Sequence, residues 1–481
     1  MMLSVLVLTL LAVGSTAAAA TILDYAVYVG PHATTTDMYA ANEIASLCAS
    51  AGGSLKPLQV FNGPTMPTSQ PMIVVGSGAL TTAYPSLASF IANLGLEGFF
   101  VSQVVGGKTN NYVISGSPST ERGTLYGTYH FLREAVGFRW WSPYVNSTPN
   151  LAPPAVFNPT INATEVPVIE YRDVYYWQFE TGDGIEAATR FSLIQRNNAL
   201  QFDSEGMILP GGGVRYADPP GAAHTAFLLI PPSVYQATHP EWFGGSDQLC
   251  WTNSSLIVEL ISVVSNILRS QPTANIISVS QNDNFNYCKT AAEMAVINEE
   301  GSPSGPILRA VNAIADAVSV EFPNVAVHTF AYQYSRPPPK LTKPRPNVVV
   351  QLCSIECDFG VPLSDPNSTL NAAFRHDLIT WSSISQRLYI WDYVTDFANF
   401  VMPWPDYYTI APNIRFYVQN GAKGIFEEGA YTSSGSDMQE LKSYFIFFLM
   451  ERITTRILKT IEDENPYRLL DPDGQMSDEV T

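Results

Sequence analysis

Three apolar runs in this chain each deliver a carboxylate at their end. Ile276-Ile277-Ser278-Val279-Ser280 passes into Gln281-Asn282-Asp283-Asn284, residues 387–393 close on Trp391-Asp392-Tyr393, and residues 424–429 close on Glu427-Glu428-Gly429. Short apolar runs that end in polar side chains read as buried strands. In a barrel of alternating strands and helices, the chemistry sits at the C-terminal ends of the strands. Two carboxyl groups flanking a glycosidic bond can hydrolyse it, one as proton donor and the other as base or nucleophile. Asp283, Asp392 and Glu428 are therefore the candidate catalytic residues. Each of the three could instead cap a helix or turn the chain.

The neighbours of these acids suit the same chemistry. Asn282 and Asn284 could hydrogen-bond a sugar hydroxyl or acetamido group. As a proton donor, Asp283 needs a raised pKa, which partial burial and nearby carboxylates supply. Adjacent residues on a strand face opposite ways, so only one of Glu427 and Glu428 should line a site. Glu428 is favoured because the missing side chain of Gly429 leaves room for substrate, and Glu427 stays a substrate-binding candidate. Trp391, Tyr393, Trp404, Tyr332 and Tyr431 could stack on sugar rings, or simply pack a core. His224 could bind substrate from its loop, as could His239, though a satisfied loop histidine is the commoner case. Arg172, before Asp173 at the end of an early strand, could grip a ligand carboxylate or hydroxyl, or form a structural ion pair. Cys353-x-x-x-Cys357 with 6 histidines in the chain does not make a metal-ligand set. The glycines at 76 and 78 belong to no phosphate-binding loop, and no Gly-x-Ser-x-Gly elbow is present. No metal or cofactor is expected.

The elements that must position these residues follow in two blocks. A strand over 22–29, a helix over 36–51, strands at 72–75, 99–104 and 112–114, and a helix from 120 suggest a small α/β domain over 21–145. Residues 146–167, rich in Pro, Asn and Thr, read as a linker. From 168 to 460, helical and strand-like segments alternate. The expected strands are 198–202, 224–229, 276–280, 325–332, 347–353, 387–393 and 423–426, and the expected helices are 187–196, 256–269, 306–322, 370–383, 407–420 and 438–453. That rhythm and size fit a (β/α)8 TIM-like barrel, with a doubly wound open sheet as the rival. Residues 461–481 read as a polar tail.

Bulk composition sets the partners. The chain has 481 residues, 46% of them apolar, 12% aromatic and 14% charged, with a net charge of −18. Such a charge excludes a nucleic-acid partner, whose phosphates it would repel. Few charges and many rings suit an uncharged ligand such as a carbohydrate. The apolar stretch of residues 1–14, followed by small residues to Ala20, reads as a secretory signal peptide, and no other run is long enough to span a membrane. Sequons at Asn146, Asn162, Asn253 and Asn367 fit a glycosylated, extracellular chain. In that compartment, two of Cys250, Cys288, Cys353 and Cys357 are expected to form a disulfide near the rim, with Cys48 buried and free.

Gly123-Thr124-Leu125-Tyr126-Gly127-Thr128-Tyr129-His130-Phe131-Leu132-Arg133-Glu134, with Gly137-Phe138-Arg139-Trp140-Trp141-Ser142-Pro143, resembles the small domain that precedes the barrel in hexosaminidases, α-N-acetylglucosaminidases and α-glucuronidases. The remainder resembles a family of domain-of-unknown-function proteins that join such a domain to a glycosidase-like barrel. The matching segments are His239-Pro240-Glu241-Trp242-Phe243, Gln248-Leu249-Cys250-Trp251-Thr252-Asn253, Ser280-Gln281-Asn282-Asp283, Gly301-Ser302-Pro303-Ser304-Gly305, Trp391-Asp392-Tyr393 and Glu427-Glu428-Gly429. The resemblance implies a glycoside hydrolase. The Asp-Glu pair of hexosaminidases is replaced here by Asn282-Asp283, so their catalytic roles do not transfer. The expectation is a secreted glycoside hydrolase. Its alternative is a catalytically inactive carbohydrate-binding or cell-surface structural protein. A pocket holding two carboxyl groups would favour the enzyme.

Overall fold

A computed structural model describes residues 20–106, 109–118, 120, 122–180, 185–199, 211–244 and 247–452. The expected leader and tail lie outside these residues. Two compact units divide the chain, with the main boundary between Pro167 and Val168.

The first unit holds a six-stranded sheet in the order β2-β1-β3-β5-β4-β8. Its strands are β1 (Ala26–Tyr28), β2 (Val60–Phe61), β3 (Met72–Val75), β4 (Phe99–Gly106), β5 (Thr109–Gly116) and β8 (Asn162–Glu165). A separate small ribbon pairs β6 (Arg139–Trp140) with β7 (Asn146–Ser147). β1, β2, β3 and β5 run parallel, while β4 is antiparallel to both β5 and β8. The 146–167 stretch, expected as a linker, thus supplies the edge strand β8. Its residues alternate between exposed and half-buried, so the strand writes no apolar run. The helix Thr35–Ala51 starts where Thr34 accepts the Asp37 amide and Asp37 accepts the Thr34 amide, a reciprocal N-terminal cap. The helix Arg122–Phe131 lies so close to the sheet that a side chain on Gly116 would strike the Gly123–Thr124 backbone.

The second unit is built on a six-stranded, all-parallel sheet in the order β10-β11-β12-β13-β14-β9. These strands are β9 (Tyr171–Tyr175), β10 (Ile276–Ser278), β11 (Ala326–Ala331), β12 (Val348–Cys353), β13 (Leu388–Tyr393) and β14 (Gly424–Glu428). Each is nearly continuous in buried residues, as strands covered on both faces must be. Helices alternate with them. Ser254–Ser270 buries Leu256, Leu260, Val264 and Leu268 at four-residue spacing, and the Asn253 side chain caps it by accepting the Ser255 and Leu256 amides. Between β9 and β10, single bridges replace longer strands: Ala199 pairs with Val214, and Tyr216 pairs with Ile276. The expected strand over 198–202 is described only to Ala199. The expected strand over 224–229 is instead a helical turn, Ala226–Leu229, begun by a Thr225 hydroxyl that hydrogen-bonds the Ser278 carbonyl. The helix Ala291–Glu300, absent from the sequence reading, is capped by Thr290 and ends at Gly301 in the left-handed region.

Cys250 and Cys288 form a disulfide with Cα atoms 5.2 Å apart. Cys353 and Cys357 are free, and Cys48 is free and buried as expected.

Candidate active site

Strand alternation sorts the sequence candidates. In β13, Trp391 and Tyr393 face one way and Asp392 the other. In β14, Phe426 and Glu428 share the first face and Glu427 takes the second. The register pairs Trp391 with Phe426, Asp392 with Glu427 and Tyr393 with Glu428. One sheet face therefore carries Trp391, Tyr393, Phe426 and Glu428 toward a cavity of about 550 Å³. Tyr171, Tyr175, Phe330, Tyr332, His224, Asp283, Phe397 and Tyr431 also line it.

Among the described residues that line it, Glu428 and Asp283 are the two carboxyl groups of this cavity. Trp391 Nε1 donates to Glu428 Oε2 at 2.7 Å, which fixes that carboxyl against the indole edge. Burial pushes Glu428 up to about 7; the Asp283 charge adds to the rise and the Trp391 bond opposes it. Asp283 is exposed, and its charge, with burial as the larger cause, pushes the neighbouring Tyr332 hydroxyl above its ordinary range. Tyr332 in turn accepts from Gln333 Nε2 at 2.9 Å. Gln333 and His224 both hold positive φ, 50° and 54°, which is uncommon outside glycine and marks backbone strained around the cavity. His224 Nδ1 lies 3.0 Å from the Gln281 carbonyl. A carbonyl can only accept, so Nδ1 carries a proton.

On the same face of β11 as Phe330, His328 bridges Ser278 Oγ at 3.0 Å and Gln351 Oε1 at 2.7 Å. Burial lowers its pKa to about 3, so it stays neutral and serves as a spacer between strands. Burial likewise pushes the Cys353 thiol up, which leaves it protonated and a poor nucleophile.

Several candidates do not reach the cavity. Asp392 is buried on the reverse face, where it accepts from Ser354 Oγ at 2.5 Å, Tyr417 OH at 2.6 Å and the Tyr393 amide at 2.9 Å. Glu427 is also on that face and is held well above the carboxylate range by burial, with Asp392 and Asp406 adding repulsion. Arg172 sits on the reverse face of β9. Its Nε donates to the Arg196 carbonyl at 2.8 Å and its Nη1 to the Ile169 carbonyl, so it does not floor the cavity. Asn282 and Asn284 brace their own loop: Asn282 Nδ2 donates to the Asp247 carbonyl at 2.8 Å, and Asn284 Oδ1 accepts Gln248 Nε2 at 3.1 Å. Trp404 packs on Phe359, and His239 stacks on Trp242. Gly429 does not open a path for substrate, since the Tyr176 ring occupies the space a side chain would need.

The reading missed Tyr171, Tyr175, Phe330, Gln351, Cys353 and Phe426. Period-two alternation within each strand was the signal that could have found them. Among the described residues, no group of His, Cys, Asp and Glu is arranged to hold a metal ion. No helix among them is long and apolar enough to cross a membrane.

No curated protein matches this chain. Among solved structures it is similar to a GH138 enzyme targeting pectin rhamnogalacturonan II, at 10% identity and a TM-score of 0.42, over 91% of this chain and 51% of that one. It is also similar to a family 89 glycoside hydrolase from Clostridium perfringens in complex with a dideoxynojirimycin derivative, at 12% identity and a TM-score of 0.43, over 75% and 45% of the two chains. A xylose isomerase domain protein from Alicyclobacillus acidocaldarius matches at 10% identity and a TM-score of 0.32, over 59% and 98%. The chain thus spans about half the length of the first two enzymes. Residues 140–463 match the domain of unknown function DUF4838, and the chain belongs to that family.

Proposed function

We propose that this protein is a secreted glycoside hydrolase that works by carboxylate acid/base catalysis. One observation carries the reading: Glu428 and Asp283 line a single cavity walled by aromatic rings. Glu428, raised to about 7, is the general acid, holding a proton for the leaving oxygen at mildly acidic pH. Asp283, on the same cavity, is the base or nucleophile. Trp391 orients Glu428 and offers its face, with Tyr393, to the sugar.

The parallel sheet supports a (β/α)8 barrel in which the bridges at Ala199–Val214 and Tyr216–Ile276 stand for strands two and three. The apolar leader and the sequons support secretion. Asn146, Asn162 and Asn367 are exposed, as glycan acceptors must be.

A panel of chromogenic α- and β-glycosides tests the reading. Hydrolysis should fall about 10²–10⁴-fold in Glu428→Gln and in Asp283→Asn. Turnover that survives both substitutions, or saturable binding without turnover in the unmodified chain, would refute it. The second result would leave a carbohydrate-binding protein.

A further inference from the structure

On the glycosidase reading above, we infer that the cavity takes a glycosyl unit without a carboxylate, a neutral pyranoside and not a uronic acid. Among the described residues, none of the 18 that line the cavity is Lys or Arg, and 10 are aromatic.

Four cations on or beside the sheet's strands are committed elsewhere. Arg172 is held by backbone carbonyls. Arg387 is paired with Glu170 at 2.7 Å. Arg336 is paired with Asp377 at 2.9 Å and also with Glu356. Lys442 is paired with Asp406 at 2.8 Å and Asp437 at 3.0 Å. A uronate would therefore meet the Asp283 charge, a Glu428 that holds its proton at mildly acidic pH and, among the described lining residues, no fixed cation. Carboxylate recognition relies on the guanidinium fork or an equivalent charge, and like charges brought together in one cavity repel.

His224 is the one basic side chain among the described lining residues. Its Nδ1–H is spent on the Gln281 carbonyl, and its ring is packed against Phe330 and Tyr332 at centroid distances of 5.3 and 5.7 Å. A neutral sugar fits what is present. Its apolar face can lie on the Trp391 and Tyr393 rings, and its hydroxyls can donate to Glu428 and Asp283.

The probes are nitrophenyl glycosides of gluco, galacto and manno configuration in both anomers. Each is used as the neutral sugar, the uronate and the uronate methyl ester, and binding to the full-length protein is measured by calorimetry at pH 6. The ester matches the uronate closely in shape and differs in charge. At least one neutral glycoside should bind, and its ester should bind about tenfold or more tightly than the uronate. A uronate bound as tightly as its ester would overturn this inference and leave the hydrolase reading standing. No saturable binding by any probe would overturn both.

Discussion

Glu428 makes the sharpest single-residue prediction. Its carboxyl titrates near 7 in the folded chain, against an ordinary value of 4.5. If it gives its proton to the leaving group, kcat/KM should fall as pH rises through about 7, and Glu428→Gln should remove that limb along with the activity. Stability should move the other way in the same variant. A carboxyl whose folded pKa is raised stabilises the fold fully below the unfolded value, and that contribution is lost as pH rises through the folded one. Above pH 7 the natural chain buries a charge that Gln lacks, so Glu428→Gln should be at least as heat-stable there. Thermal melts at pH 8 in which the variant falls well below the unmodified chain would assign Glu428 a structural role. Trp391→Phe tests the orientation separately: it keeps an aromatic ring, removes the 2.7 Å bond, and should shift the basic limb upward because that bond favours the charged form.

At the scale of elements, strand alternation separates the cavity from the scaffold. Asp392 and Asp283 looked alike as acids at the ends of apolar runs, yet their substitutions should behave oppositely. Asp392→Ala leaves Ser354, Tyr417 and the Tyr393 amide without their acceptor in a buried site, a loss of about 2–4 kcal/mol readable by urea denaturation. Asp283→Asn, on an exposed side chain, should change stability by less than about 0.5 kcal/mol. The rule that separated Glu427 from Glu428 applies equally to Trp391-Asp392-Tyr393 and forbids all three from facing one cavity. The apolar strands were legible because burial on both faces writes an unbroken run, as in Val348–Cys353. Arg172 was not, because its partners are backbone carbonyls of Ile169 and Arg196, and no residue type announces them. The loop bearing Asp283 is tied down by Cys250–Cys288, which closes a sequence separation of 38 residues. Cys250→Ser should destabilise by about 2–4 kcal/mol on the loop-entropy argument and loosen the Asp283 segment. Equal melting temperatures with and without reductant would count against that link.

At the scale of the whole molecule, an acidic chain with several buried carboxyls should be most stable below neutrality. Burial raises Asp406 and Glu428 to about 7 and holds Glu427 well above the carboxylate range. Asp406 meets Lys442 as an ion pair rather than an aligned hydrogen bond, and that pairing offsets only part of the burial. Between the unfolded carboxylate values and about pH 7, the folded chain therefore binds more protons than the unfolded one at these three sites, and stability falls as pH rises. His328 acts in the opposite sense. It is lowered to about 3, so the unfolded chain gains a proton there as pH drops below 6.5, and the fold loses stability. Three raised carboxyls outweigh one histidine between pH 5 and 7. Below that window the balance reverses, because Glu300, lowered to about 2 by hydrogen bonds from Thr342, Leu341 and Arg309 that outweigh its burial, begins to lose its partners. The melting temperature should thus be higher at pH 5 than at pH 8 when ionic strength is matched. Relief of self-repulsion in a chain of net charge −18 pushes the same way. The double variant Asp406→Asn, Glu427→Gln separates the two causes. It should flatten most of the slope between pH 5 and 8 if buried protons set it, and leave the slope nearly unchanged if surface repulsion does.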